Sequence, residues 1–277
     1  MASITDWVVE GLKYPFNDLK KLLNFGVLFA LISALSTYIG IKSFEIFIDI
    51  MHIAIMVNVT VSHITLSQLP VDDIKFVVGL TIVSFIISLL VMGYQYDTIK
   101  LSIDRKKDLP GSYDIIAMFA KGIKYFIVTL AYNIIPTLVL VVGIALAGES
   151  LILPIIFISM LLFIIAYFLL IMALNNMVAY DSIKKAFDFR EIIDNISNLG
   201  WARYVGIILF TIIVVMIIAV AAGILLSFIS VLFAASINNQ AVVISMVIAI
   251  IEGLFINSYI SLFFNRVCGS IYRESIK

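Results

Sequence analysis

Cysteine is nearly absent from this chain of 277 residues, where Cys268 stands alone. No disulfide framework and no cysteine-based zinc site can form within it. Charge is scarce too, at 13% of residues, against about 25% in an ordinary soluble domain. Eighteen Lys and Arg balance eighteen Asp and Glu, so there is no global basic field to draw nucleic acid. No P-loop, dinucleotide-binding glycine pattern or G-x-S-x-G sequence occurs. No polar stretch is long enough to hold a soluble catalytic domain. These absences lead us to expect a protein that is not an enzyme and uses no cofactor or metal. No A-x-A-like cleavage site follows a short apolar run, so the first long run is expected to stay as an uncleaved anchor.

What is present is apolar. Hydrophobic residues make up 63% of the chain and the mean hydropathy is +1.16. In water such a chain would expose apolar surface over most of its area, so lipid is its expected solvent. A helix needs about 20 apolar residues to cross a bilayer. Runs of that order lie at 22–41, 76–93, 125–146, 151–178, 201–233 and 242–264. Some exceed bilayer thickness, which implies tilt or extension beyond the lipid. The expected fold is all-α: one membrane domain over 1–277, an integral bundle of six transmembrane helices in three helical hairpins, with short cytoplasmic amphipathic helices.

The cations give the orientation. Sixteen of the eighteen Lys and Arg fall in the N-terminal segment, the 93–125 and 180–203 connections, and the tail; only Lys42 and Lys75 fall on the other side. Cytoplasmic connections carry the excess of Lys and Arg. A cell membrane location with both termini cytoplasmic follows.

The polar connections carry helix signals. Ser3 with Asp6 and Asp188 with Glu191 have capping-box form. Trp7 suits a membrane interface, and Pro15 should break the first helix before Asn17 or Asp18 caps the next. Ser112 is placed to cap a helix in the headgroup layer, and 191–199 should form another. Segment 42–75 is harder. Glu45, Asp49 and His52 recur at i, i+4, i+7 on an apolar helical stretch, then 57–62 alternates with a strand period. Asn58-Val59-Thr60 is a glycosylation acceptor. A span through 44–67 would sink acids and a histidine in lipid and carry the most basic connection to the opposite side. We expect an external, partly ordered excursion. Glu45, Asp49, His52 and His63 have metal-binding side chains, but their spacing matches no zinc motif, and a solvated polar face is expected.

Two short phrases recur. Tyr96-Asp97-Thr98-Ile99-Lys100 returns as Tyr180-Asp181-Ser182-Ile183-Lys184. Gly122-Ile123-Lys124-Tyr125 returns as Gly11-Leu12-Lys13-Tyr14, and loosely as Gly200 to Arg203-Tyr204. A cation beside a tyrosine anchors a helix at the headgroups, so Lys13, Tyr14, Tyr96, Asp97, Lys124, Tyr125, Tyr180, Asp181, Arg203 and Tyr204 are candidate interface anchors. Asp97 and Asp181 follow span exits, where they can bond cations of a neighbouring unit. The phrases mark an internal repeat of three hairpins, at about 3–100, 112–185 and 188–273.

The stretches DW..EGLKYPFNDLKKLL, GY.........D....LP........F..GIKY, NN...Y......F.FREI and NR..G.IYRE together resemble a large, mainly archaeal family of membrane proteins known only as a domain of unknown function. The resemblance covers nearly the whole chain and implies the architecture. It brings no substrate and no catalytic residue.

Glu252 lies roughly 15 Å along the sixth span at 1.5 Å per residue. Intramembrane carboxyls are costly and tend to mark ion or proton paths. With Asn257 on its own helix and Asn133 on the third span, Glu252 is the candidate intramembrane polar site. The alternative is a protonated carboxyl serving as helix glue. The partners expected are the bilayer and a small-molecule or lipid ligand. Two functions follow: transport, or assistance to transport, of a small solute or lipid; or an adaptor docking a partner through 42–75 or the basic 93–125 segment. The orientation is testable. In a Cys268→Ser background, Lys106→Cys should react with a membrane-impermeant maleimide only after the membrane is opened. Reaction in intact cells would invert the topology.

Overall fold

The computed structural model describes residues 4–57, 69–111, 114–146, 148–236 and 241–276. Among them the chain is almost wholly helical, with no strand. Helix α1 spans Ile4–Lys13 and gives way to a 3₁₀ turn, Tyr14–Asn17, at Pro15, which has no N–H to continue the helix. Helix α2, Leu19–Val57, starts where the Asp18 carboxylate accepts the Lys21 N–H at 3.0 Å. There follow α3 (Val71–Ile103), α4 (Ile115–Leu146), α5 (Ile152–Tyr180), α6 (Phe189–Leu199) and α7 (Trp201–Ser236). Helix α8 (Ala241–Ile251) passes through a π-helical turn, Glu252–Asn257, into α9 (Ser258–Ser275).

Six helices are long and apolar enough to cross a membrane: α2, α3, α4, α5, α7 and the continuous α8–α9 rod. Side chains such as Ile135, Ile217 and Phe228 stand exposed on them. Only lipid accommodates that much apolar surface. The chain is a multi-pass membrane protein.

The helices run longer than the apolar runs, and this changes three expectations. Segment 42–75 begins as regular helix, because α2 continues unbroken to Val57. No proline or glycine follows Gly40 to stop it, and Lys42 pairs with Glu45 at 2.7 Å one turn on. At 1.5 Å per residue α2 is roughly 58 Å long, about twice the hydrocarbon thickness. Glu45, Asp49 and His52 ride on its extension. Residues 58–68, with Asn58 and His63, lie outside the described residues. Helix α3 begins at Val71, ahead of the apolar run, with Asp72 and Asp73 in its first turn, where the helix dipole favours them.

The separate headgroup helix expected after Ser112 is instead the start of α4. Nothing between Phe119 and Tyr125 breaks it, and Asp114 caps it by accepting the Ala117 N–H at 3.1 Å. Ser112, Ser3 and the polar turn at 237–240 lie outside the described residues. The tail expected after 264, with Arg266 and Arg273, continues the sixth span as helix α9. Of the Asp188–Glu191 capping box, the Asp188 half forms: its carboxylate accepts the Glu191 N–H at 3.3 Å and opens the amphipathic α6, while the Glu191 carboxylate turns to Lys185.

The chain forms two compact units. The first comprises Met1–Leu22, Leu89–Ile217 and Tyr259–Lys277. Its core surrounds the last turns of α5, where every residue from Leu170 to Val178 is buried. Ile192 and Ile196 of α6, Tyr204 and Ile207 of α7, and Phe263 and Val267 of α9 pack there. Alongside them α3 and α4 cross backbone against backbone. A Cβ on Gly93 would lie 1.9 Å from the Met118 carbonyl oxygen, and one on Gly122 would lie 1.8 Å from that of Leu89. The second unit, Leu23–Ser88 and Ile218–Ser258, has a similar crossing. There a Cβ on Gly26 would lie 2.2 Å from the Leu254 carbonyl oxygen, and one on Gly253 would lie 2.6 Å from that of Phe29.

The crossing makes a stability prediction. Gly93→Ala and Gly122→Ala should each cost about 1–3 kcal/mol as α3 and α4 are forced apart. Gly79→Ala, on the same helix in open space, should leave stability unchanged. Thermal melting of the three variants in detergent decides it, and equal melting temperatures would refute the close crossing.

Candidate functional site

Two helix ends build the site, and both close in the same way. At the end of α3 the Lys106 N–H reaches the Leu101 carbonyl at 2.9 Å and the Arg105 N–H reaches that of Ser102 at 3.1 Å. At the end of α5 the Ser182 N–H reaches Met177 at 3.1 Å and the Asp181 N–H reaches Val178 at 3.4 Å. These are Schellman closures, whose left-handed residue is usually glycine. Here it is Arg105, at φ 59°, and Asp181, at φ 50°. Each pays about 1 kcal/mol or more for a side chain in that region.

At Asp181 the compensation is visible. Tyr96 donates its hydroxyl to the Asp181 carboxylate at 2.5 Å, and Lys124 donates to the same oxygen at 2.8 Å. Lys100 donates to the Ala179 carbonyl at 3.2 Å. The first YD phrase thus bonds the helix end that carries the second. Its own Asp97 lies inside α3 rather than past a helix end, and takes Lys121 at 2.7 Å. Lys124 and Tyr96 hold the Asp181 carboxyl below its ordinary pKa. Bonds from the Glu191 N–H and from Lys185 do the same for Asp188. Lys185 also meets Glu191 at 2.5 Å.

At α3 the arrangement is different. Arg266, 3% exposed, donates to Glu10 at 2.6 Å and to the Lys106 carbonyl at 2.6 Å, and its guanidinium lies 4.7 Å over the Tyr14 ring. Arg273 donates to the Ile103 carbonyl. Two cations of α9 therefore face the carbonyl end of α3, the favourable end of its dipole. Tyr14 donates to the Asp108 carbonyl at 3.0 Å. Burial pushes its hydroxyl up to about 12, with Arg266 opposing and the Asp108 carboxylate adding to the shift.

These residues wall a cavity of about 770 Å³ in the first unit. Lys13, Arg105 and Lys107 line it, and none of the three makes an ion pair among the described residues. Arg266 and Arg273 add charge already turned to carbonyls, while Asp6, Glu10 and Glu274 share the wall. The arrangement can hold an anionic group by charge and hydrogen bonding.

A family model described as "Protein of unknown function (DUF4013)" matches residues 76–227, more than half of the chain. The chain belongs to this family. The matched stretch takes in the Tyr96, Lys124 and Asp181 contacts and stops short of α9, so the cavity lies partly outside it. No curated protein and no solved structure matches the chain.

The predicted anchors divide. Lys13 and Tyr14 line the cavity; Tyr96, Asp97, Lys124 and Asp181 form the bonded cluster. Tyr180 is exposed beneath the Lys185 ammonium, 4.9 Å from its ring. Tyr204 is buried and donates to the Phe168 carbonyl at 2.6 Å, so it braces the core rather than the headgroups. Trp7, expected at the interface, is buried with the Arg203 guanidinium 4.9 Å over its ring. Tyr125 is half-buried between helices.

Of the intramembrane candidates, Asn133 belongs to the first unit and donates to the Thr129 carbonyl of its own helix at 2.7 Å. Glu252 and Asn257 belong to the second, at the two ends of the π turn, with Glu252 exposed. Among the described residues no three His, Cys, Asp or Glu gather to hold a metal. The sequence reading missed Arg266 with Arg273, which stand seven residues apart. That is two turns on one helical face, a signal hidden by ending the helix at 264.

The Asp181 cluster carries a pH signature. Its carboxyl titrates lower folded than unfolded, so its contribution is full above about pH 4 and falls away as pH drops through the folded value. Acid should lower the melting temperature of the wild type more steeply than that of Asp181→Asn between about pH 5 and 2. Parallel curves would show that Asp181 contributes nothing.

Proposed function

We propose that this is a non-enzymatic membrane protein that receives an anionic small solute or lipid headgroup in the charged cavity and moves it, or helps to move it. The observation carrying this reading is the trio of cations, Lys13, Arg105 and Lys107, around about 770 Å³ without a carboxylate partner among the described residues. Arg105 strengthens it: a residue held at φ 59° where glycine would be easier suggests that its side chain is used. By the cation bias this end faces the cytoplasm and both termini lie there, in the cell membrane. The paired YD phrases support an internal repeat, a construction common in transporters. In the second unit the reading assigns the intramembrane polar site to Glu252 and Asn257. Their π turn is of the kind that recurs at functional sites.

An adaptor role is favoured by a different observation, the reach of α2 to Val57, well beyond one bilayer thickness. In that case 42–75, or the basic 93–125 segment, docks a partner and the cavity holds nothing.

Binding distinguishes the two. Protein in phosphatidylcholine nanodiscs should retain phosphatidylglycerol or inorganic phosphate by native mass spectrometry, with affinity falling as salt rises. At about 1 kcal/mol for each cation near an anionic surface, Lys13→Gln, Arg105→Gln and Lys107→Gln together should weaken retention at least tenfold. Equal retention by the triple variant would remove the cavity from the account.

A further inference from the structure

A second, smaller cavity of about 110 Å³ lies in the first unit between α3, α4, α5 and α9. Its walls come from membrane-spanning helices, and no charged side chain among the described residues lines it. The wall is mostly aliphatic and aromatic, from residues such as Leu170 and Phe264. One polar group in it is out of balance. Asn175 is 1% exposed, and its amide nitrogen donates to the Ile171 carbonyl at 2.7 Å. That bond fixes which end of the amide is the acceptor, and the acceptor Oδ1 is buried with no hydrogen-bond partner among the described residues. An unsatisfied buried acceptor costs about 1–3 kcal/mol, and native interiors rarely leave one without a donor.

The neighbours do not supply that donor. Thr129 gives its hydroxyl to the Tyr125 carbonyl at 3.0 Å, and Asn265 gives its amide to the Ser261 carbonyl at 2.8 Å. Both are spent on their own helices. The hydroxyls of Tyr125 and Tyr167, also in the wall, make no hydrogen bond among the described residues. Tyr167 is 40% exposed on the outer surface of a span, so the cavity opens toward lipid. The site therefore offers a buried acceptor, two further hydroxyls, apolar walls and no counter-charge.

We propose that this cavity binds the hydroxyl end of an uncharged, membrane-dissolved alcohol, which donates to Asn175 Oδ1 while its apolar stem lies against the aliphatic wall. The absence of charge rules out a phosphate or carboxylate, whose burial without a partner is prohibitive. About 30 Å³ is the share of one water, so the volume takes a hydroxyl with a short length of stem, not a whole headgroup. Water alone would satisfy the oxygen but leave the apolar walls wet. The ligand class differs from that of the charged cavity, and neither site requires the other.

The test uses full-length protein in detergent and an octanol bearing a diazirine, with labelled residues located by mass spectrometry. Labelling should concentrate on the segments around Tyr125, Tyr167 and Asn175. Excess 1-octanol should suppress it at least threefold, and octane should not. Asn175→Leu should lose this labelling while keeping the diffuse labelling of lipid-facing surfaces. The competition on wild-type protein decides the matter even if that variant does not fold. Labelling spread evenly over the spans would mean the cavity holds water only, and equal suppression by octane would mean a slot with no use for the hydroxyl. Either result overturns the proposal.

Discussion

The close crossing of α3 and α4 sets the positions of everything at the charged end of the first unit. Gly93 and Gly122 let the two backbones touch. Lys121 and Lys124 flank one glycine and Asp97 follows the other by four residues, so the contact fixes where these charges stand. Lys121 then reaches Asp97, and Lys124 reaches Asp181 at the end of α5. In water such half-exposed ion pairs contribute little. Here they act less as a source of stability than as a register, choosing which helix ends lie side by side.

The two Schellman closures then divide the labour. At α5 the left-handed residue is an acid, Asp181, and its side chain is consumed by Tyr96 and Lys124. At α3 it is Arg105, whose side chain has no such partner among the described residues and instead lines the cavity. The carbonyl end of α3 is closed by Arg266 and Arg273, which leaves Lys13, Arg105 and Lys107 for a ligand. One end is locked and the other is open, on the same backbone motif.

Much of this was legible in the sequence, and the limits have physical causes. Hydropathy with the cation distribution points to six crossings, since lipid imposes a run of apolar residues on every span. It could not give helix ends, because polar residues continue a helix as readily as they leave it where no proline intervenes. That is why the first part of the 42–75 segment is the continuation of α2 to Val57, and why the helix expected in the headgroup layer is the start of α4 at Ile115. The YD echo was visible, and the expectation that its acids bond cations of a neighbouring unit is met at Asp97 by Lys121, whereas Asp181 takes Lys124 of its own unit. That Tyr96 would donate across to Asp181 was not visible, because pairing between distant segments depends on how helices cross. The same limit hid Arg266, buried against Glu10 at the far end of the chain. The unpaired oxygen of Asn175 was invisible for a further reason: an asparagine looks the same in sequence whether its amide is satisfied or not.

The account rests on the glycine crossing placing the ion pairs, and a double-mutant cycle between Gly122→Ala and Lys124→Gln, read as unfolding free energy in detergent, tests that directly. If the crossing positions the lysine, spreading the helices already breaks the Lys124–Asp181 pair. The two substitutions should then be non-additive by about 0.5 kcal/mol or more. Strict additivity would mean that the crossing and the ion pair are independent.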